Sequence, residues 1–151
     1  MSRFRYILPA IIWAACIFIF STTLFTSDNT SRFIIPLLHF LFPSAPMATL
    51  EWMHHLIRKG GHLSEYFVLC ILVFRWLRGA RSGWNWKWAL WAVIIAAAYA
   101  STDEFHQIFV PGRTASPWDV LIDTCGAVLA QVIVFLVCLR GRRKALRLAT
   151  D

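Results

Sequence analysis

Three short stretches of the chain carry side chains able to do chemistry. RKGGHLSEY (58–66) sets Lys59, His62, Glu65 and Tyr66 in the spacing K-x-x-H-x-x-E-Y. YASTDEFHQIFVPGR (99–113) holds Asp103, Glu104, His106, Gln107 and Arg113, and SPWDVLIDTCGAVLAQ (116–131) holds Asp119 and Asp123. A lysine point charge and an arginine fork suit a phosphate or another anionic headgroup. His62 is a candidate general base or nucleophile, oriented by Glu65 or Asp103, with Glu104 as a further carboxylate. Lys59, Tyr66, Gln107, Arg113, Asp119 and Asp123 are then candidate substrate contacts. His62 and Glu65, with Asp103, Glu104 and Asp123, could instead hold a divalent cation. Oxygen ligands favour magnesium, calcium or manganese, and His106 would shift the choice towards zinc. No ligand spacing is diagnostic of a metal.

The elements that must position these residues follow from composition. Of the 151 residues 58% are hydrophobic and only 15% charged, with eight Trp and twelve Phe, and the mean hydropathy is +0.59. A soluble domain of this length cannot hide so much apolar surface. Four apolar runs, at 6–25, 60–77, 84–109 and 118–139, reach the ~17–25 residues that a helix needs to cross the hydrocarbon core. The expected fold is therefore all-α: one polytopic membrane domain with four transmembrane helices. The first run follows Arg3 and Arg5 as in a signal peptide, but it has no convincing cleavage site and reads as an uncleaved helix. Cys16, Cys70, Cys125 and Cys138 lie in apolar runs and form no CxxC pair, so they read as small hydrophobes.

Between the first two runs, 33–42 has only ten residues with Pro36 and His39 among them, too short to cross, and is expected to be re-entrant or interfacial. Residues 43–59 read as a short surface helix opened by Ser44, with Pro46 in its first turn and Leu50, Met53 and Ile57 on its apolar face. Gly60 and Gly61 are expected to end it and to start an 18-residue span at 60–77.

Charge placement sets the orientation. With the N-terminus inside, cytoplasmic segments hold Arg3, Arg5, Arg75, Arg78, Arg81, Lys87, Arg140, Arg142, Arg143, Lys144 and Arg147, against Arg32, Arg58, Lys59 and Arg113 outside. Eleven against four is a positive-inside asymmetry, with both termini cytoplasmic. The net charge of +7 and the tail RGRRKALR thus point to anionic lipid headgroups rather than to nucleic acid. The polar ends of the second, third and fourth spans then share the outer face. Below them, Ala89, Ala92 and Ala96 on one helix and Gly126, Ala127 and Ala130 on another form small-residue stripes for close packing.

Five of the eight acidic residues, with Lys59, His62, His106 and Arg113, collect at that face. Charges at membrane depth normally face a bundle interior or a watery cavity and mark function, although a salt-bridge network that only joins helices is the structural alternative. His39, His54 and His55 read as interfacial residues without a special role, and Arg58 as a headgroup contact. Asp119 is either a helix N-cap or part of the site.

The three stretches, in this order, resemble the motifs of the VanZ-like family. The resemblance covers about residues 58–130 of a single domain spanning 1–151. It marks Lys59, His62, Glu65, Asp103, Glu104, Gln107, Arg113 and Asp119 as signature positions. Asp123 stands where the family usually has Asn, and Ala130 where it usually has Gly. The resemblance implies a bacterial plasma-membrane protein of the cell envelope whose namesake is associated with tolerance to the lipoglycopeptide teicoplanin. Two functions stay open. One is hydrolysis or group transfer on an anionic lipid or lipid-linked envelope intermediate. The other is non-catalytic binding of lipid headgroups or lipophilic antibiotics. A proton-coupled carrier is disfavoured because no ionisable residue falls near the bilayer midplane.

Overall fold

A computed structural model describes residues 4–113 and 115–148, with side chains as far as Arg143. Arg3 lies outside the described residues, as do the side chains of Lys144 and Arg147. The described chain forms five helices and no strand: α1 (Phe4–Phe20), α2 (Ser27–Leu41), α3 (Met47–Arg78), α4 (Trp86–Gln107) and α5 (Pro117–Leu148), with a 3-10 turn at Thr23–Phe25 between the first two. The all-α expectation holds. Among the described residues only the stretch Pro117–Arg143, whose most apolar 18-residue window has a mean hydropathy of 2.3, is long and apolar enough to cross a membrane alone. The pair Phe4–Phe20 and Thr23–Leu41, bent by 65°, passes that measure only when joined. In α3 and α4 the polar residues of the site region, His62 and Glu65 on one and Asp103 and Glu104 on the other, dilute the apolar character.

The helix α3 corrects the expectation at Gly60 and Gly61. Neither glycine ends a helix, and neither has a positive φ. The chain runs on as one 32-residue helix, about 48 Å long at 1.5 Å per residue. Each interior glycine costs ~1 kcal/mol of helix propensity, and tertiary contacts outweigh that cost. Trp13 Nε1 of α1 donates to the Glu65 carbonyl at 2.9 Å, and the Leu63 backbone lies against Gly126 of α5. The first half of α3 consequently extends the axis of the second rather than forming a separate surface helix. It starts at Met47 behind Pro46, not at Ser44. Its inward face is Leu50 and His54, both buried, while Ile57 is exposed.

Packing is built on small residues, as the alanine pattern predicts. Ala89, Ala92, Ala96 and Ala100 of α4 and Ala127 and Ala130 of α5 are buried against Tyr66, Leu69, Cys70, Val73 and Phe74 of α3, with Ala10 and Ile17 from α1. At Gly126 the approach is closest: a Cβ there would lie 2.3 Å from the Leu63 carbonyl oxygen. Large apolar side chains point the other way. Leu90, Trp91 and Ile94 of α4 and Val128, Leu129, Val132 and Ile133 of α5 are exposed. A core of alanines inside a coat of leucine, isoleucine and tryptophan inverts the usual arrangement of a water-soluble protein. One end of this bundle gathers the start of the second half of α3, the end of α4, the start of α5 and the α1–α2 turn.

Candidate functional site

The polar end begins with local helix chemistry. Asp103 and Gln107 lie one turn apart on α4, and both are buried. Gln107 Nε2 donates to Asp103 Oδ2 at 3.0 Å, and the hydroxyl of Ser21, at the end of α1, donates to the same oxygen at 2.6 Å. Asp103 Oδ1 has no partner among the described residues. Next to it, Glu104 accepts the Ser116 backbone N–H at 2.9 Å. That contact ties the end of α4 to the start of α5, where Pro117 occupies the first helical position. The Ser116 hydroxyl accepts the Trp118 N–H at 3.3 Å, so Ser116 serves as the cap of α5. Asp119, relieved of that task, pairs with Lys59 of α3.

The cations form a separate layer. A cavity of about 110 Å³ is lined by Arg58, Lys59, His62, Gln107, Arg113 and Asp119, with His55, Ser27 and Gly112 at its edge. Three formal positive charges face it against one carboxylate, Asp119, which Lys59 already engages. Asp103, Glu104 and Asp123 are buried and do not line it. Arg113 NH2 donates to the carbonyls of Phe20 and of Phe25, the latter at 3.0 Å. Arg58 NH1 donates to the same Phe25 carbonyl at 3.1 Å and to the Thr30 hydroxyl at 3.2 Å. Two guanidiniums thus meet on one carbonyl oxygen, and among the described residues neither forms an ion pair with a carboxylate. Burial first, and the neighbouring Arg58 second, push the Arg113 guanidinium down from its ordinary value, opposed by Asp103, Glu65 and Glu104. Arginine starts so high that it keeps its charge.

A second cavity of about 250 Å³ adjoins the first and shares Arg58, His62 and Arg113 with it. Its remaining wall is largely apolar, formed by Phe20, Phe25, Ile34 and Ile57, with Glu65 at the polar side. His62 therefore stands between a cationic chamber and an apolar groove. Its Nδ1 lies 3.8 Å from Glu65 Oε2, an ion-pair distance too long for a hydrogen bond.

Of the ten residues singled out in the sequence, Lys59, His62, Gln107, Arg113 and Asp119 line the smaller cavity, and Glu65 lines the larger. Asp103 and Glu104 back the wall through the hydrogen bonds above. Tyr66 and Asp123 line neither cavity. They are 0% and 1% exposed, and the Tyr66 hydroxyl and both Asp123 carboxylate oxygens have no partner among the described residues. His106 is turned away, its ring 4.7 Å from that of Phe18. Among the described residues no three of His, Cys, Asp and Glu come together in a metal-holding group.

Several residues here carry no individual signal in the sequence. Ser21 reaches Asp103 across 82 positions, and no local pattern announces it. Arg58 reads as a lone interfacial cation until the α1–α2 turn delivers the Phe25 carbonyl. His55 lines the cavity despite its bland reading, while buried His54 contacts the Thr30 hydroxyl at 3.0 Å.

A family model described as VanZ/LLP1 matches residues 6–138. Comparison with curated proteins and with solved structures gives no match. Proteins of the matched family are generally membrane proteins, in keeping with the inverted packing. The match takes in α1, the turn that presents Phe25 and all three polar stretches, and on that extent the chain belongs to the VanZ/LLP1 family.

Proposed function

We propose that the chain crosses the bacterial plasma membrane four times, through α1, residues 60–77 of α3, α4 and α5. Both termini then face the cytoplasm and the polar end faces outward. Two observations support this topology. The exposed coat is apolar along α4 and α5, and the opposite end carries Arg75, Arg78, Arg81, Lys87, Arg140, Arg142 and Arg143 with no described acidic residue. In this arrangement α2, bent away from α1, is the interfacial or re-entrant piece.

The reading that the geometry supports best is an outward-facing site for an anionic lipid or lipid-linked envelope intermediate, acting by hydrolysis or group transfer. The observation that carries it is the meeting of Arg58 and Arg113 on the Phe25 carbonyl, at the junction of a cationic chamber and an apolar groove. The chamber suits a phosphate-class headgroup, which arginine forks can grip through two N–H bonds. The groove suits the first methylenes of its chain. His62, at the junction, is placed to accept a proton from an attacking water or hydroxyl, with Glu65 as the carboxylate nearest to it. The association of the family's namesake with lipoglycopeptide tolerance fits action at the same envelope surface.

One observation favours a second reading, in which the site binds without converting. Ser21 and Gln107 already claim Asp103, and Glu65 stands beyond hydrogen-bond reach of His62, so among the described residues no carboxylate is hydrogen-bonded to the histidine. Lipid extracts from membranes with and without the protein separate the two. A lipid species that changes headgroup in step with the protein, and not with a His62→Ala variant, identifies an enzyme; an unchanged profile identifies a binder.

A further inference from the structure

The opposite end of the bundle holds a second cavity system, which none of the chemistry above uses. A cavity of about 530 Å³ is walled by Tyr6 of α1, Trp76 and Arg78 of α3, Arg81 of the following turn, and Trp88 of α4. Its architecture is fixed by a glycine. Gly79 adopts φ +61, and its N–H donates to the Arg75 carbonyl at 3.0 Å, closing α3 where a side chain would strain the backbone. The next turn, with the Arg81 N–H donating to the Arg78 carbonyl at 3.3 Å, brings both arginines to the same cavity.

Each guanidinium sits over an aromatic ring. The Arg81 guanidinium carbon lies 5.6 Å from the centre of the Trp88 ring, and that of Arg78 lies 6.0 Å from the centre of Phe74. Cation–π attraction of this kind restrains a guanidinium without using a hydrogen-bond acceptor. Arg78 Nε is buried and has no partner among the described residues. No described residue of the cavity wall is acidic, and neither arginine is in an ion pair among the described residues.

We propose that this cavity binds the phosphate-bearing headgroup of an anionic lipid of the inner leaflet. Arg78 and Arg81 hold the phosphate by their edges, and Trp76 and Trp88 flank it at interfacial depth. Basic pockets between helices on the cytoplasmic side are suited to such headgroups. The location at the inner surface rests on the membrane topology proposed above, but the pocket is independent of the outer cavity and of any reaction there.

The test uses the full chain in detergent, with bound lipid counted by native mass spectrometry after addition of phosphatidylglycerol or phosphatidylcholine. The expected result is that Arg78→Gln/Arg81→Gln holds one phosphatidylglycerol fewer than the wild type and binds it about tenfold more weakly, equivalent to loss of ~1.4 kcal/mol. An Arg58→Gln/Arg113→Gln variant should keep that lipid, so failure of the outer site and failure of this one are distinguishable. Should the inner double variant fail to fold by circular dichroism, Arg81→Gln alone, at an exposed position, should still weaken binding. Wild-type retention of phosphatidylglycerol by the folded inner variant overturns the proposal. So does equal retention of phosphatidylcholine. Displacement of the lipid by millimolar inorganic phosphate overturns the assignment to a lipid and marks a site for the free anion.

Discussion

At the scale of single residues, the site is a wall of cations backed by carboxylates, and the two layers respond differently to substitution. Arg113→Lys keeps the charge but exchanges a fork for a point: one nitrogen of the guanidinium, Nη2, donates to both the Phe20 and Phe25 carbonyls, and lysine has no second nitrogen to offer an anion. Binding of an anionic lipid should fall about tenfold while expression and melting temperature stay near wild type. Ser21→Ala should act the other way round. It removes a 2.6 Å hydrogen bond to Asp103 and should lower stability by about 1–3 kcal/mol, read as a lower melting temperature in detergent. Glu65→Gln with Asp103→Asn preserves shape and discharges both positions. A stable double variant of undiminished activity removes these carboxylates from function. The Asp103–Gln107 pair was legible because i, i+4 spacing on a helix needs no knowledge of the rest of the fold. Ser21 and Arg58 were not, because their partners come from a turn between α1 and α2 whose path only tertiary packing decides. Tyr66 shares its helix face with Lys59 and His62, but α4 and α5 close over it before either cavity begins.

At the scale of elements, the alanine stripes were readable from their periodicity and the Gly60–Gly61 pair was misread. Glycine pairs end helices when nothing else holds the chain, and here contacts with α1 and α5 hold it. The pair gives a direct comparison with Gly126. Nothing lies within 4 Å of a Cβ built at Gly60, so Gly60→Ala should stabilise by up to ~1 kcal/mol through helix propensity. Gly126→Ala gains the same propensity but drives its methyl into the Leu63 backbone, and overpacking of this kind costs ~1–3 kcal/mol. The melting temperatures should move in opposite directions. A loss of stability at Gly60→Ala would show that α3 needs a break there and that the continuous helix is wrong.

At the scale of the whole molecule, charge and apolar area are segregated along the bundle: acids and a cationic chamber at one end, basic residues with no described acid at the other, small residues between. Composition made the membrane class legible, but not the number of spans: among the described residues only Pro117–Arg143 is apolar enough to cross alone, because the groups that build the site interrupt the apolar runs of α3 and α4. On a background without Cys16, Cys70, Cys125 and Cys138, a cysteine at exposed position 115 should react with an impermeant reagent from outside, and one at position 81 only after the membrane is opened. The claim on which the rest depends is that the junction of the two outer cavities grips an anionic headgroup. Its most direct measurement is the affinity of the purified protein for a short-chain phosphatidylglycerol, compared with and without Arg58→Gln/Arg113→Gln at matched folding. The short chain limits partition into the detergent, and the inner Arg78→Gln/Arg81→Gln substitutions present in both proteins leave one site to read. The account predicts at least a tenfold (~1.4 kcal/mol) weaker affinity on loss of the outer pair; equal affinity in the two proteins would contradict it.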